Sequence, residues 1–384
     1  MKKLTREGCE YAMSQDTFAF IIHPIQIKKD VSRKFPLLGK ILPEPVINYA
    51  SRYFPPLYIS EITGVQSQAT GHEVLGWFLA CPFTPPTMMS LPVQRVYDKI
   101  VATGRKAEAL GARMLGLGAY TSVVGDAGVT IAQRLEIPVT TGDSYTVGIA
   151  IDAVEEAAHH MQIDVAQATV AVVGATGAIG KACAQLMARR CARLIVVGRR
   201  ADATEEVREL CSGHRAQVQA ATDMSAIYEA EIVITVTSAI GSVIEPAHLR
   251  PGAVVLDVAR PRDVSIQVAR QRDDVLVIEG GMVEVPGPQL DFHFDFGFPP
   301  RKAFACMAET MVLALEGRYE DYSLGRELEL ARIEEIRTLA AHHGFRLAGL
   351  RSFEHAVTET TINAVRERAH EHRKTWSPAR GLSG

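Results

Sequence analysis

The chain has 384 residues, a formal net charge of -3 and 47% hydrophobic side chains. That length suits two domains with real cores, and a charge so near balance excludes a general attraction to nucleic acid. Six cysteines, Cys9, Cys81, Cys183, Cys191, Cys211 and Cys306, show no CxxC pair and no metal-ligand spacing, so no metal is expected and the thiols read as reduced. The first ten residues are polar and charged, unlike a signal peptide, and no apolar run reaches the length of a membrane span. The expected compartment is the cytoplasm.

In chain order, Phe18–Ile22 (FAFII) predicts a short strand. Residues 28–58 mix basic residues, prolines and large apolar side chains, and read as a loop-rich subdomain. Within them the apolar cluster Phe35, Leu37, Leu38, Ile41 and Leu42 lies near Lys28, Lys29, Arg33, Lys34 and Lys40, which leaves open peripheral contact with a lipid surface or an acyl chain. Val65–Cys81 alternates as a hairpin that turns at residues 69–72. Pro92–Leu115 predicts a long helix, apolar at Val96, Ile100, Ala107 and Leu110. Gly116–Val124 (GLGAYTSVV) predicts a strand followed by small and hydroxyl residues, Pro138–Val147 (PVTTGDSYTV) a second hydroxyl cluster, and Gly148–Met161 a helix.

The stretch from Ala168 to Arg200 is the most informative. A buried-strand run, Val170–Val173, is followed by Gly174, Gly177 and Gly180, then by a helical pattern with Ala182, Leu186 and Met187 on one side. A second run, Leu194–Val197, ends at Gly198-Arg199-Arg200, which completes a βαβ unit of about thirty residues. A tight strand-to-helix turn needs a residue free to take positive φ, and a pyrophosphate must approach bare N–H groups at a helix start. The spacing G-x-x-G-x-x-G is a variant of the commoner G-x-G-x-x-G. Cofactor contacts are expected from Gly174, Thr176, Gly177, Ala178, Ile179 and Gly180.

The end of the second strand carries no acid for a ribose 2′-hydroxyl and offers Arg199 and Arg200 instead, which predicts NADP; two solvated arginines are the bland alternative. Glu205–Leu210 reads as a helix. Ala230–Val236 is a strand ending in Thr237-Ser238, toward the cofactor, and Ala253–Asp257 is a strand followed by residues 258–261. Val275–Ile278 ends at Gly280-Gly281, a bare backbone suited to a nicotinamide. The predicted fold is α/β: a doubly wound Rossmann NADP-binding domain over 168–282 plus a second α/β substrate domain. The latter takes residues 1–167 and is completed by the C-terminal helices of 283–384.

Beyond the nucleotide domain come the aromatic stretch FHFDFGFPP at 292–300 and a predicted helix Arg301–Glu316, with Pro299 and Pro300 at its start and Cys306 in its second turn. Leu324–His342 reads as a long helix. The basic tail after Ser352 reads as partly disordered or as a peripheral helix.

Several segments together resemble the long-chain fatty acyl-[acyl carrier protein] reductases first known from cyanobacterial alkane synthesis. They are GLGAYTSVV at 116–124, VTTGDSYT at 139–146, QATVAVVGATGAIG at 167–180, VIEGGMVE at 277–284, PPRKAFACMAETMVLALEG at 299–317 and YSLGR at 322–326. The resemblance implies reduction of a fatty acyl thioester, carried by acyl carrier protein or coenzyme A, to the fatty aldehyde with NADPH. It also implies that Cys306 in Phe304-Ala305-Cys306 takes the acyl group, a role that suits a thiolate facing a thioester. Cys306 must then approach the nicotinamide.

Glu309, one turn on, reads as an acid–base partner or as a buried hydrogen-bonding residue. Ser122, Thr140, Thr141 and Ser144 could position the thioester carbonyl, or act only as turn and capping residues. His293 reads as structural, and Arg301 and Lys302 offer a weak case for meeting an acidic carrier protein. An aldehyde-consuming enzyme is a conceivable partner. The rival readings are a shikimate dehydrogenase-like or methylene-tetrahydrofolate dehydrogenase-like enzyme without covalent catalysis, and a non-catalytic NADP sensor.

Overall fold

The structure, a computed structural model, describes residues 16–376 apart from Gln26, Ile240, Arg260, Pro261 and Glu354, and apart from the Leu38 side chain. Cys9, the Arg260-Pro261 pair and the end of the basic tail lie outside the described residues. The chain divides into two compact units. One runs to Tyr145 and includes Val283–Arg326 and Arg332–Arg346; the other comprises Thr146–Met282, Glu327–Ala331 and the chain from Leu347 onward.

The first unit is built on β1 (Thr17–Ile22), the hairpin β2 (Leu57–Gln66) and β3 (Glu73–Ala80), β4 (Leu115–Leu117) and β5 (Val139–Thr140). They form one sheet in the order β2-β3-β1-β4-β5, antiparallel only between β2 and β3. β1 is central, with Ala19 opposite both Trp77 and Leu115, so its residues are covered on both faces and read as a continuous apolar run. Helix Val93–Ala109 covers one face, with Val96, Ile100 and Ala107 in a core shared with Ile21, Leu79 and Leu117. It stops short of the predicted Leu115, which is already the first residue of β4. The Gly116–Val124 strand is likewise shorter than predicted: β4 ends at Leu117 and a helical turn, Tyr120–Val123, follows.

Residues 28–58 correct the loop-rich reading. They contain three short helices, Ile27–Lys34, Pro36–Ile41 and Glu44–Ser51. Pro36 and Pro45 stand at helix starts, where the missing N–H costs nothing, so prolines that suggested loops begin helices here. Helix Asp143–His160 begins before the predicted Gly148, because the hydroxyl cluster forms its first turn.

The second unit holds β6 (Thr169–Val173), β7 (Arg193–Val197), β8 (Gln217–Ala221), β9 (Ile232–Thr235), β10 (Val254–Asp257) and β11 (Leu276–Glu279). The order β11-β10-β9-β6-β7-β8, parallel throughout, is the doubly wound arrangement. Every residue of β6 is buried, as its apolar run predicts. β8 escaped prediction because QVQAA is an edge strand that buries none of its residues fully. The tail after Ser352 includes an ordered helix, Glu359–Arg373, which buries Ile362, Val365 and Ala369. Arg373 Nε donates to the Pro251 carbonyl at 3.1 Å, within the same unit. Among the described residues no helix is long and apolar enough to cross a membrane.

Candidate active site

The strand order reverses between β6 and β9, and the glycine turn lies at the carboxyl end of β6. Gly174 has φ +83°, and a Cβ there would stand 2.6 Å from the Val236 carbonyl oxygen just beyond β9. A Cβ on Gly180 would stand 2.2 Å from the Gly174 oxygen, so only glycine lets helix Ala178–Ala188 close onto the turn. Gly177 is the exposed N-cap, with no side chain capping the helix. The first intrahelical bond runs from Lys181 N to Gly177 O at 2.8 Å. The N–H groups of Ala178, Ile179 and Gly180 therefore have no partner within the helix and point out of its positive end, where Thr176 stands half-exposed. This cradle fits a dinucleotide pyrophosphate.

Arg199 and Arg200 are exposed beyond β7, and neither is tied to a carboxylate among the described residues. Thr237 is held by buried Asp263, which accepts from Thr237 N at 2.7 Å, Thr237 Oγ1 at 2.5 Å and Thr235 Oγ1 at 2.6 Å. Its hydroxyl is thus committed to fixing the strand end, while Ser238 is exposed. Asp263 itself had no signal in the sequence beyond being an acid after a strand. Gly280 donates to the Asp257 carbonyl at 2.8 Å, and Gly281 follows with φ +86° and open space on its Cβ side.

In the other unit the segment before Cys306 departs from the prediction. Arg301 takes φ +60°, residues Lys302–Phe304 are a short strand, and the helix is Ala305–Leu315. Pro299 and Pro300 therefore do not begin it, and Cys306 lies in its first turn rather than its second. The helix packs on β1 and β4. Gly142, at φ +77°, lies flat against the cysteine: a Cβ on it would fall 2.3 Å from Cys306 Cα and 2.4 Å from Cys306 Cβ. Both the backbone angle and the close approach exclude any other residue.

Glu309 is fully buried below Cys306. Its carboxylate accepts from Tyr145 N at 2.7 Å and from the Thr140 hydroxyl, with a further bond from the Gly142 backbone. Ser323 Oγ lies 2.7 Å from both Glu309 Oε1 and Ser144 Oγ. With one proton to give, it serves the carboxylate and leaves Ser144 to donate in turn. Ser144 N reaches Ser323 Oγ at 3.1 Å, and Thr141 Oγ1 donates to the Ser323 carbonyl at 2.5 Å. Burial raises the Glu309 pKa against these donors.

Asp143, 5% exposed, is the second buried acid; burial and the neighbouring Glu309 push it up to about 8. Cys306, half-buried, is pushed up to about 12 by burial and then by Asp143. Each of these acids disfavours the ionised form of its neighbours, Glu309 that of Asp143 and Asp143 that of Cys306.

The structure brings Cys306, Glu309, Thr140, Thr141 and Ser144 together and adds Asp143, Gly142 and Ser323, which the sequence reading gave no role. Asp143 stood inside the quoted VTTGDSYT segment, and Ser323 inside YSLGR. Ser122 is buried, its hydroxyl donating to the Ala119 carbonyl at 2.7 Å within its own turn. His293 pairs with Asp291 at 3.2 Å and Thr63 at 3.1 Å on the surface, a structural arrangement. Arg301 is exposed and 3.9 Å from Glu284.

A chain of phenylalanines leads up to this helix. Phe20 and Phe78 have ring centroids 6.4 Å apart, and Phe78 reaches Phe296 at 4.7 Å. Phe296 stacks on Phe298 at 5.6 Å, and Phe298 meets Phe304 at 4.8 Å, two residues before Cys306.

Residues 155–279 match the model of the shikimate / quinate 5-dehydrogenase family. The long-chain acyl-[acyl-carrier-protein] reductase of Synechococcus elongatus is 30% identical over 306 residues, 76% of this chain and 87% of that protein. Aminotransferase PigE of Serratia sp. is 31% identical over 371 residues, 92% of this chain, but this chain spans only 42% of it. Among solved structures, L-tryptophan dehydrogenase from Nostoc punctiforme aligns over 94% of this chain and 89% of its own, at 14% identity and a TM-score of 0.40.

Proposed function

This chain belongs to the family of the long-chain acyl-[acyl-carrier-protein] reductases, and on that premise we propose that it reduces long-chain fatty acyl thioesters to fatty aldehydes through an acyl group on Cys306. The observation that carries the reading is the buried cluster around Cys306: a thiol in a helix first turn, pressed on Gly142 and accompanied by Asp143 and Glu309. A shikimate dehydrogenase-like reaction has no use for such a cysteine. The phenylalanine chain ending at Phe304 supports an apolar substrate.

NAD(P)H, which the glycine turn of residues 174–180 would hold, would supply the hydride for reduction of the acyl thioester. The residues of this chain handle the protons. Glu309, with four hydrogen-bond donors, is the better stabilised anion, so Asp143 holds the proton the pair shares at neutral pH. In the fraction where Asp143 is ionised, it accepts the Cys306 thiol proton. The thiolate attacks the thioester carbonyl, the bond to the carrier sulfur breaks, and that sulfur leaves with the proton from Asp143. After reduction the carbon–sulfur bond to Cys306 breaks, releasing aldehyde and returning the thiolate. Acyl carrier protein fits as donor by family, with coenzyme A as the other carrier.

Intact-protein mass spectrometry after mixing with a long-chain acyl-CoA tests this directly. An adduct mapping to Cys306, lost with aldehyde release once NADPH is added, is the expected result. No adduct in a protein that still binds NADPH would transfer the case to hydride transfer without covalent catalysis, which the family match over residues 155–279 favours. That match covers the nucleotide-binding segment and leaves Cys306 outside it.

Arg199 and Arg200 support NADPH as the preferred cofactor. Replacing both by serine is expected to weaken NADPH binding roughly ten- to hundredfold, the worth of charge-assisted bonds to a 2′-phosphate, with NADH nearly unaffected. Fluorescence titration of both cofactors decides it, and an equal loss for the two would remove the assignment.

A further inference from the structure

We infer that the three short helices of residues 27–51 and the segment after them form a docking face for an anionic lipid surface. Large apolar side chains stand out from this one stretch of the first unit: Leu37 is 74% exposed, Ile41 73%, Tyr53 72% and Tyr49 62%, with Val46 and Phe54 beside them. Elsewhere among the described residues the exposed large apolar side chains are Met89 and Val93, close together in the chain, and Val123, Leu210 and Ile266, which are scattered singly as on an ordinary surface. Tyr49, Ala50, Tyr53, Phe54 and Pro55 line an open apolar depression, and the Tyr49 and Tyr53 rings lie 5.5 Å apart.

Charge selects the occupant. The stretch carries Lys28, Lys29, Arg33, Lys34, Lys40 and Arg52 against only Asp30 and Glu44, in a chain whose net charge is -3. Asp30 is already paired with Arg33 at 2.8 Å. Lys28, Lys29 and Lys40 are exposed and pair with no carboxylate among the described residues. A folded acidic partner would use the lysines but would need a matching pocket for each of the projecting side chains Leu37, Ile41 and Tyr53. A bilayer interface takes in projecting leucine, isoleucine and tyrosine side chains while its anionic headgroups meet the lysines. This face needs neither Cys306 nor a cofactor, so its test is separate from that of the reaction.

The full chain, without thioester or NADPH, is sedimented with phosphatidylcholine vesicles and with vesicles that also contain phosphatidylglycerol. Binding to the anionic vesicles alone, weakening with added salt, is expected. Lys28→Gln, Lys29→Gln and Lys40→Gln together should lower that affinity on the order of a hundredfold. Leu37→Ser, Ile41→Ser and Tyr53→Ser together should abolish it at low salt, with unchanged circular dichroism and NADPH affinity. On the unmodified chain, anionic vesicles should slow amide hydrogen exchange within residues 27–58, a readout independent of any variant. Absence of vesicle binding, or binding that both variants retain, would overturn the inference. So would a dimer that the apolar variant dissociates without any vesicle binding, since a second copy would then cover the face.

Discussion

Cys306→Ser is expected to abolish aldehyde release, by on the order of 10⁴-fold or more in turnover, while NADPH affinity stays within about twofold. The substitution is nearly isosteric, so the contact with Gly142 and the bonds around Glu309 should survive. What is lost is chemical. A serine hydroxyl ionises far less readily than a thiol already pushed up to about 12, and any acyl group it took would be an oxygen ester, a poorer hydride acceptor than a thioester. Single-turnover assays with acyl-CoA and NADPH, beside a cofactor titration, make the measurement. Full activity in the variant would end the covalent mechanism.

Asp143→Asn is expected to lower kcat/KM by roughly 10²- to 10⁴-fold, the usual worth of a positioned general base. It should also remove the rise of the wild-type rate toward pH 8, since the reactive form of Asp143 is the ionised one. Stability supplies a second readout. Burial and Glu309 raise the folded pKa from 3.8 to about 8, so the folded protein keeps a proton that the unfolded chain gives up near pH 4. Stability contributed by this group is therefore greatest below the unfolded pKa and declines as pH rises from about 4 to 8, by on the order of 5 kcal/mol. Asparagine carries no such proton. The variant should match the wild type near pH 4 and exceed it at pH 8 and above in denaturant unfolding. A pH-independent difference, or unchanged activity, would remove Asp143 from the proton path.

The nucleotide-binding turn was readable because its determinants are contiguous. Strand, glycines, helix and second strand follow one another in 168–200, and the positive φ at Gly174 and the close approach at Gly180 are requirements of that short segment. The apolar runs of β6, β9, β10 and β11 were readable for the same reason: a strand buried on both faces has little choice of residue. Edge strand β8 has that choice and was missed. Short helices at 27–51 were missed because their prolines serve as starts, a role local composition does not distinguish from a loop.

The sequence by itself determined the doubly wound half of the fold and the glycine cradle, and Cys306 entered as candidate nucleophile only through the family resemblance carried by Phe304-Ala305-Cys306 and its neighbours. Only the tertiary structure decided what surrounds that nucleophile. Glu309 is bonded by Thr140, Tyr145 and Ser323, and Cys306 rests on Gly142, residues brought together from distant parts of the chain. Whether a carboxyl such as Asp143 holds its proton at neutral pH depends on water excluded and charges placed nearby, which are properties of the packed site. A residue's chemical type is written in the chain; its pKa and its partners come from neighbours that only folding supplies.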